Sequence, residues 1–574
     1  MGRLSVKGVN SHYDVSRFIA ARICRAASPK EKNSACGWNS PKKGCCSSSG
    51  SESAKIRNKK RDCLFFILRE DTVLRLLGSQ RQMCGGLTRR DWMQVGGLGM
   101  LGVGLADVLR LQDQQLLADE QGAGFGKAKR CILLLPYGSP PQHETFDPKP
   151  DAPVEIRGTH GSISTSLPGV RIDEHLPRIS KIMDRITVIR SMTHPYPTHC
   201  VAYATSGIPE YTPALETRPR DPKLWPYIGS VVDFIGSRED REKPIPAVPR
   251  NIALPWKMNS RGGEAASVQA GPYAAFLGPA YDPVLTDFEG EATRTIQKVS
   301  PNNGATHDVK DPYAGVKPDC RFRLAGARLR ENMTLDRHNR RRSLLKQLDQ
   351  VRRQIDRNQA TDSYDRYQQI ANALISSSEV HRALDISQEP MAMRENYGMH
   401  LFGQSCLAAR RLVEAGSRFV TVFWDEYAYL NTDWDTHWNH YHRLKDRLLP
   451  GFDSAYSALL LDLEQRGMLD DTLVVWMSEH GRTPKLNKNK GGGRDHWASV
   501  YSITLAGGGV RSGEIVGESD RIGGDVHSTP VSPKDILATI FHLMGIDAHT
   551  TIPDRLGRPT PIAGTGKVRP EVIA

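Results

Sequence analysis

The sequence is poorest in the features that mark the simplest functional classes. No uninterrupted apolar run reaches the roughly 18 residues a bilayer-spanning helix needs, which excludes a polytopic membrane protein. Cysteine is scarce where a core would form. Six of the ten (Cys24, Cys36, Cys45, Cys46, Cys63 and Cys84) precede residue 85, leaving Cys131, Cys200, Cys320 and Cys406 for everything after it. Four scattered cysteines give no disulfide framework, and the spacings of the first six match no zinc template. A positive surplus is also missing from most of the chain. Of the net charge of +13, residues 1–82 carry nearly all, with 17 Lys/Arg (among them Lys59, Lys60 and Arg61) against 6 Asp/Glu; the other 492 residues net only +2. That body has no basic footprint for a phosphate backbone, so nucleic acid is excluded as its partner. There is no internal repeat, and Gly564-Thr-Gly-Lys567 lacks both the upstream glycine and the following Ser/Thr of a phosphate loop. What the chain has is length. Its 574 residues suffice for a large buried core, and the composition excludes collagen, coiled coil and wholesale disorder.

Residues 88–106 pair Arg89-Arg90 with the short, glycine-rich apolar stretch Gln94-Val-Gly-Gly-Leu-Gly-Met-Leu-Gly-Val-Gly-Leu-Ala106. The order of charge pair, apolar stretch and polar segment resembles a bacterial twin-arginine export signal, and the apolar part is too short for a stable span. The protein is therefore expected to be exported, to the periplasm or beyond. Such signals open a chain, and Met83 lies five residues before the motif. Residues 1–82 are accordingly read as a misassigned or disordered extension, 83–126 as signal and linker, and 127–574 as the functional domain.

From Arg130 onward, short β-rich runs alternate with helical stretches. Cys131-Ile-Leu-Leu-Leu135 is a continuous apolar run, as expected of a strand buried on both faces. Helix-like 174–184 leads to Ile186-Thr-Val-Ile189. Helical 402–415, stopped by Gly416, leads to Phe419-Val-Thr-Val-Phe-Trp424. Helical 452–465, stopped by Gly467, leads to Thr472-Leu-Val-Val-Trp-Met477, and Ser502-Ile-Thr-Leu505 follows. Ser532-Pro533-Lys-Asp535 opens an amphipathic helix closed by Gly545. This alternation predicts an α/β fold with a doubly wound, mostly parallel sheet. Residues from about 285 to 385, rich in Arg, Gln and Asp with leucines at helical spacing, contain no strand-like run and are expected to form a helical insertion.

Open parallel sheets bind ligands beyond the carboxyl ends of their strands. Imidazoles and carboxylates recur at those places. Gln142, His143, Glu144 and Asp147 follow the first strand; Ser191, His194, Thr198 and His199 follow the second. Asp425-Glu426, Asp433, Asp435, His437, His440 and His442 follow Trp424. Ser478-Glu479-His480-Gly-Arg482 follows Met477, and Arg494-Asp-His496 comes shortly after. Such donors suit a divalent cation, zinc first where imidazole dominates, with calcium, magnesium or manganese as alternatives. At least one of His437, His440 and His442 is expected to support or to face solvent rather than coordinate.

From Cys131 to about Arg569 the chain resembles the DUF1501 family, exported bacterial proteins of the alkaline phosphatase/sulfatase superfamily. The residues that carry the resemblance are Glu144-Thr-Phe-Asp-Pro-Lys-Pro150, Phe402-Gly-Gln-Ser-Cys406, Trp434-Asp-Thr-His437, Glu479-His-Gly-Arg-Thr-Pro484, Gly493-Arg-Asp-His-Trp497 and Asp554-Arg-Leu-Gly-Arg-Pro559. The resemblance implies one or two divalent metals above the sheet. It implies ligands at Glu479, His480 and His496, and at Asp435 (or Asp433) with His437. It also implies a nucleophile before a helix ending in a Thr-Gly-like step, which makes Thr198 the candidate, with His199 assisting proton transfer and Arg482 or Arg494 stabilising charge. Cys200 is not followed by the Cys-x-Pro-x-Arg pattern, so formylglycine chemistry is not expected. The acid expected just after the first strand is replaced by Tyr137-Gly138-Ser139, with His143 or Glu144 as possible substitutes from farther along the loop, and Glu479 stands where Asp is commoner. The implied activity is metal-dependent hydrolysis of a phosphate or sulfate ester on a small molecule or polysaccharide. The alternative is a non-catalytic exported binding protein for anionic polysaccharide on the same fold. The sequence leaves the oligomeric state open.

Overall fold

The computed structural model describes residues 122–574 apart from 241–242, 244, 264–268, 300–304, 326–339, 341–342, 344–358 and 430–432. The basic segment 1–82 and the twin-arginine-like stretch lie outside the described residues.

Nine strands form the central sheet. In chain order, with the hairpin strands included in the numbering, they begin with β1 (Arg130–Pro136), β2 (Thr187–Met192) and β3 (Asn251–Leu254). β4 (Val284–Glu289), the hairpin β5 (Thr295–Val299) and β6 (Thr306–Lys310), and β7 (Arg321–Leu324) follow. The rest are β8 (Phe419–Trp424), β9 (Thr472–Trp476), the two-residue β10 (Gly481–Arg482) and β11 (His496–Trp497), β12 (Tyr501–Ala506) and β13 (Ile515–Val516). The order across the sheet is β13-β2-β12-β9-β1-β8-β3-β4-β7. β9, β1, β8, β3 and β4 pair in parallel, β12 is antiparallel to both its neighbours, and β7 closes one edge antiparallel to β4. This is the expected α/β architecture with a mostly parallel sheet.

Strand periodicity splits β1 between two cores: Ile132 and Leu134 enter one, Cys131, Leu133 and Leu135 the other. Both faces must be covered, and helices cover them. Leu401–Glu414 and Leu449–Gln465 bury Phe402, Leu407, Phe452 and Leu459 on one side. Ile228–Glu239 and Pro533–Leu543 bury Val231, Val232, Ile536 and Ile540 on the other. The last helix starts with the capping box read from the sequence: the Ser532 hydroxyl accepts from Asp535 N–H, and the Asp535 carboxylate accepts from Ser532 N–H. A cap of this kind contributes about 1 kcal/mol. Gly416, Gly467 and Gly545 stop helices with positive φ. No helix among the described residues is long and apolar enough to cross a membrane.

The segment 285–385 departs from its expectation. Its first part is strand: β4 and β7 extend the central sheet, and β5 with β6 forms a separate hairpin. Only Gln359–Ser376 and Ser378–Leu384 of the second part are described as helices of several turns. The reason is burial. These strands are half-covered, so polar residues interrupt the apolar ones, as in Thr295-Ile-Gln-Lys-Val299 where Lys298 takes the buried place, and no continuous apolar run announces them. Likewise, the helix expected over 174–184 is replaced by a shorter 3-10 segment, Ile179–Arg185, broken at Ile182.

Candidate functional site

The loops after β1, β2, β8 and β9 leave the sheet on one edge and meet. Gly138, in the β1 loop, permits the closest approach. It has a φ of 97°, and a Cβ there would run into the backbone nitrogen of Asp435. The glycine that stands where an acid was expected thus admits the Asp435 strand end to the centre of the site.

Asp435 is the hub, fully buried. Its Oδ1 lies 3.1 Å from His437 Nε2 and 3.2 Å from His496 Nε2, and its Oδ2 lies 3.5 Å from His199 Nε2. The Arg482 guanidinium also donates to Oδ1. Burial pushes the Asp435 carboxyl up, but Arg482 and His199 outweigh it and hold it well below the usual range. On the far side of His199, Nδ1 is 3.0 Å from Glu479 Oε1, which also accepts from Gly138 N–H at 2.9 Å; Ser478 donates to Oε2 at 2.6 Å. Burial disfavours charge on His199, yet the flanking Asp435 and Glu479 carboxylates push its pKa up to about 10. The same contacts keep Glu479 ionised.

His480 and His496 behave in the opposite way. Burial holds the His480 imidazole far below its ordinary pKa and lowers that of His496 to about 4, so both are neutral. The Nδ1–H of His480 donates to the Gly481 carbonyl at 2.8 Å, which fixes the tautomer and leaves the lone pair on Nε2. That Nε2 is buried and has no hydrogen-bond partner among the described residues. The ring centroids of His199, His480 and His496 lie 4.5 to 5.7 Å apart, and that of His437 is 4.8 Å from His496. Donor atoms of two overlapping triads, His199–His480–His496 and Asp435–His437–His496, each fall within 4.8 Å of one another. An unclaimed buried imidazole lone pair beside an ionised carboxylate is what a divalent cation fits, and the nitrogen-rich donor set suits zinc.

Of the residues singled out from the sequence, Asp435, His437, Glu479, His480, His496, His199 and Arg482 share this one volume. Glu479 enters through His199 rather than through the triads. Thr198 precedes His199; its hydroxyl is buried and has no hydrogen-bond partner among the described residues. Arg482 is fully buried and committed: it donates to the Ser139, Arg494 and Gly138 carbonyls as well as to Asp435. It positions the β1 loop and Asp435. Arg494 is committed to Glu144 and to the Ile156, Thr483 and Pro484 carbonyls. Neither of the substitutes suggested for the missing acid reaches the cluster: Glu144 pairs with Arg494 and His440, and His143 bonds the Ile522 carbonyl. His440 supports from behind and His442 is exposed. Cys200 is buried, its thiol pushed well up by burial.

Two members were named at strand ends but given no role. Glu426 is buried close enough to Asp435 and His199 to feel their charges, and burial with Asp435 pushes its pKa well up. Ser139, held at positive φ, accepts from His480 N–H and lies 3.4 Å from the Ser478 hydroxyl. The position of each directly after a strand was the available signal. Outside this centre, His160 and His175 bracket Asp173 at 2.8 and 3.0 Å.

Residues 128–573 match the family described as a protein of unknown function, DUF1501. The chain belongs to the DUF1501 family. No curated protein matches it. Among solved structures it is similar to the PsFucS1 sulfatase of Pseudoalteromonas sp., with 12% identity over 76% of this chain and 70% of that one and a TM-score of 0.32. It is also similar to Ps i-CgsB, solved with k-i-k-neocarrahexaose, with 11% identity over 73% of this chain and 72% of that one and a TM-score of 0.31. A third is a protein from a Bacteroides thetaiotaomicron locus for metabolism of multiple glycosaminoglycans, with 11% identity over 73% of each chain and a TM-score of 0.32. Likeness at this level assigns no residue of this DUF1501 chain a role.

Proposed function

We propose that this DUF1501 protein is an exported, divalent-metal-dependent hydrolase of sulfate or phosphate esters that works without a formylglycine. The observation that carries the reading is the convergence of His199, His480 and His496 with Asp435 and His437, the Nε2 lone pair of His480 unclaimed. His480, His496, Asp435 and His437 would hold the cation, zinc by preference. Bound there, the metal would polarise a non-bridging ester oxygen and make an attacking oxygen more acidic. The chain's own residues supply the rest. Thr198 offers the attacking hydroxyl: its oxygen would bond to sulfur or phosphorus as the bond to the ester oxygen breaks, and its proton would pass to solvent. His199, held protonated between Asp435 and Glu479, would give a proton to the departing ester oxygen. Glu479 and Asp435 hold that imidazolium in place, and Arg482 fixes Asp435 against the β1 loop. Export rests on the twin-arginine-like segment around Arg89-Arg90.

One observation favours the alternative, a non-catalytic exported binder: Arg482 and Arg494 are spent on internal partners, so neither is available to an anionic transition state. Assay of the purified chain with aryl sulfate and aryl phosphate esters separates the two. Hydrolysis of either ester, lost on chelation, restored by zinc, and lost in Thr198→Ala with metal retained, supports the enzyme. A chain that holds metal yet hydrolyses neither supports the binder.

A further inference from the structure

Beside the metal-ligand cluster lies a cavity of about 600 Å³. It opens between the β5–β6 hairpin, the 438–447 segment and the 487–493 loop. The loop is pinned to the site: Asn487 and Asn489 donate to the His437 carbonyl at 3.2 and 2.9 Å. Trp438, the residue after His437, forms part of its wall. The charges in the wall are unequal. Lys298 and Arg447 also line it, but they are balanced by Asp311 and Asp433. Asp446 is the one carboxylate in the lining, exposed and 3.8 Å from His442. Arg294 and Lys490 are exposed cations in the lining.

Arg443, between them, is the informative group. Its terminal nitrogens donate only to the peptide carbonyls of Asp433, Asp435 and Trp438. Its Nε is buried without a hydrogen-bond partner, and no carboxylate lies within ion-pair distance of the guanidinium among the described residues. The Asp433 and Asp435 carboxylates act on this guanidinium only from beyond ion-pair distance, so a tetrahedral oxyanion in the cavity is its natural direct complement.

We propose that this cavity is a subsite for a second sulfate or phosphate group, on the sugar unit next to the one whose ester is cleaved. The inference rests on the ester-hydrolase reading and deepens it: the substrate is a multiply charged glycan chain rather than an isolated monoester. Trp438 offers an aromatic wall for the apolar face of a sugar, Gln297 and Asn439 offer amides for hydroxyls, and Arg294, Arg443 and Lys490 meet the anionic substituent. The near-neutral body argues against a nucleic-acid backbone in the same place.

The test measures binding of a sulfated galacto-oligosaccharide, its phosphorylated and desulfated counterparts and a single-stranded oligonucleotide of equal charge. It uses the full chain and the variants Arg294→Glu and Lys490→Glu, both at exposed positions outside the metal-ligand cluster. Each reversal is expected to weaken the better-bound charged glycan about tenfold or more, a charge-assisted contact being worth about 1.5 kcal/mol or more. Added salt should weaken it further, and aryl ester hydrolysis should be unchanged. The relative affinity of the sulfated and phosphorylated chains identifies the substituent. Equal binding of the desulfated chain, equal binding in the variants, or preference for the oligonucleotide overturns the proposal. Charge-dependent glycan binding in a chain that cleaves no aryl ester leaves the subsite standing and removes the hydrolase reading.

Discussion

Asp433 and Asp435 stand two residues apart on one loop, both buried, and their surroundings differ in kind. Asp433 belongs to a closed set. Arg447 reaches it at 2.8 Å and Lys298 at 3.6 Å, and the same two cations each lie 2.7 Å from Asp311. Two acids and two bases cancel. Asp435 belongs to an open set: one guanidinium and the imidazoles of His199, His437 and His496 surround it, and a lone pair on His480 is left over. A closed ion cluster fixes structure, whereas unclaimed donors beside an ionised carboxylate invite a ligand. Sequence spacing cannot separate the two aspartates; the identity of their neighbours does.

The sharpest way to break this comparison is to remove the leftover donor. His480→Ala is expected to lower ester hydrolysis about ten-thousandfold, ~5.5 kcal/mol in the barrier, with bound metal lost and the thermal midpoint little changed. Unaltered hydrolysis would place the two aspartates in the same structural class. Next, Asp433→Ala should cost about 3 kcal/mol of stability, because it leaves buried Lys298 and Arg447 to share the single carboxylate of Asp311, while the folded fraction keeps any bound metal; chemical denaturation with elemental analysis reads both. Gly138→Ala should cost about 2 kcal/mol through positive φ and displace Asp435, so metal affinity should fall with stability. A variant that loses stability but keeps affinity would detach the β1 loop from the centre.

The smallest effect lies away from both. Burial lowers His400 from 6.5 to about 4. Because its folded pKa is the lower, the unfolded chain binds the proton first, so stability is greatest above about 6.5 and falls as pH drops toward 4. His143, His194 and His440 are shifted the same way. His400→Asn keeps an acceptor for the Gly403 N–H at the helix start and should recover about 1 kcal/mol of that acid-dependent loss, seen as a flatter stability profile between about pH 7 and 4.5.

What could be read from the sequence follows the same division. The buried strands were legible because Cys131–Leu135 and Leu473–Trp476 are unbroken apolar runs and Phe419–Trp424 is broken only by Thr421. The strand-end rule then named His199, Asp435, His437, His480 and His496, whose side chains the fold brings together. The half-exposed strands of 284–324 gave no such run. The direction of β12 was hidden too, since an apolar run carries no polarity. Arg482 looked available for catalysis because its acceptors, the carbonyls of Gly138, Ser139 and Arg494, come from loops whose path no local pattern records. Glu144 looked able to reach the Asp435–His480 cluster for the same reason: its capture by Arg494 spans 350 residues.

The central claim is that these donors close on one cation. Anomalous diffraction from crystals grown with zinc tests it most directly. The account predicts a peak within coordination distance of His480 Nε2, with His496 and Asp435 among its neighbours. No peak there, or one elsewhere with His480 Nε2 left facing protein, would contradict it.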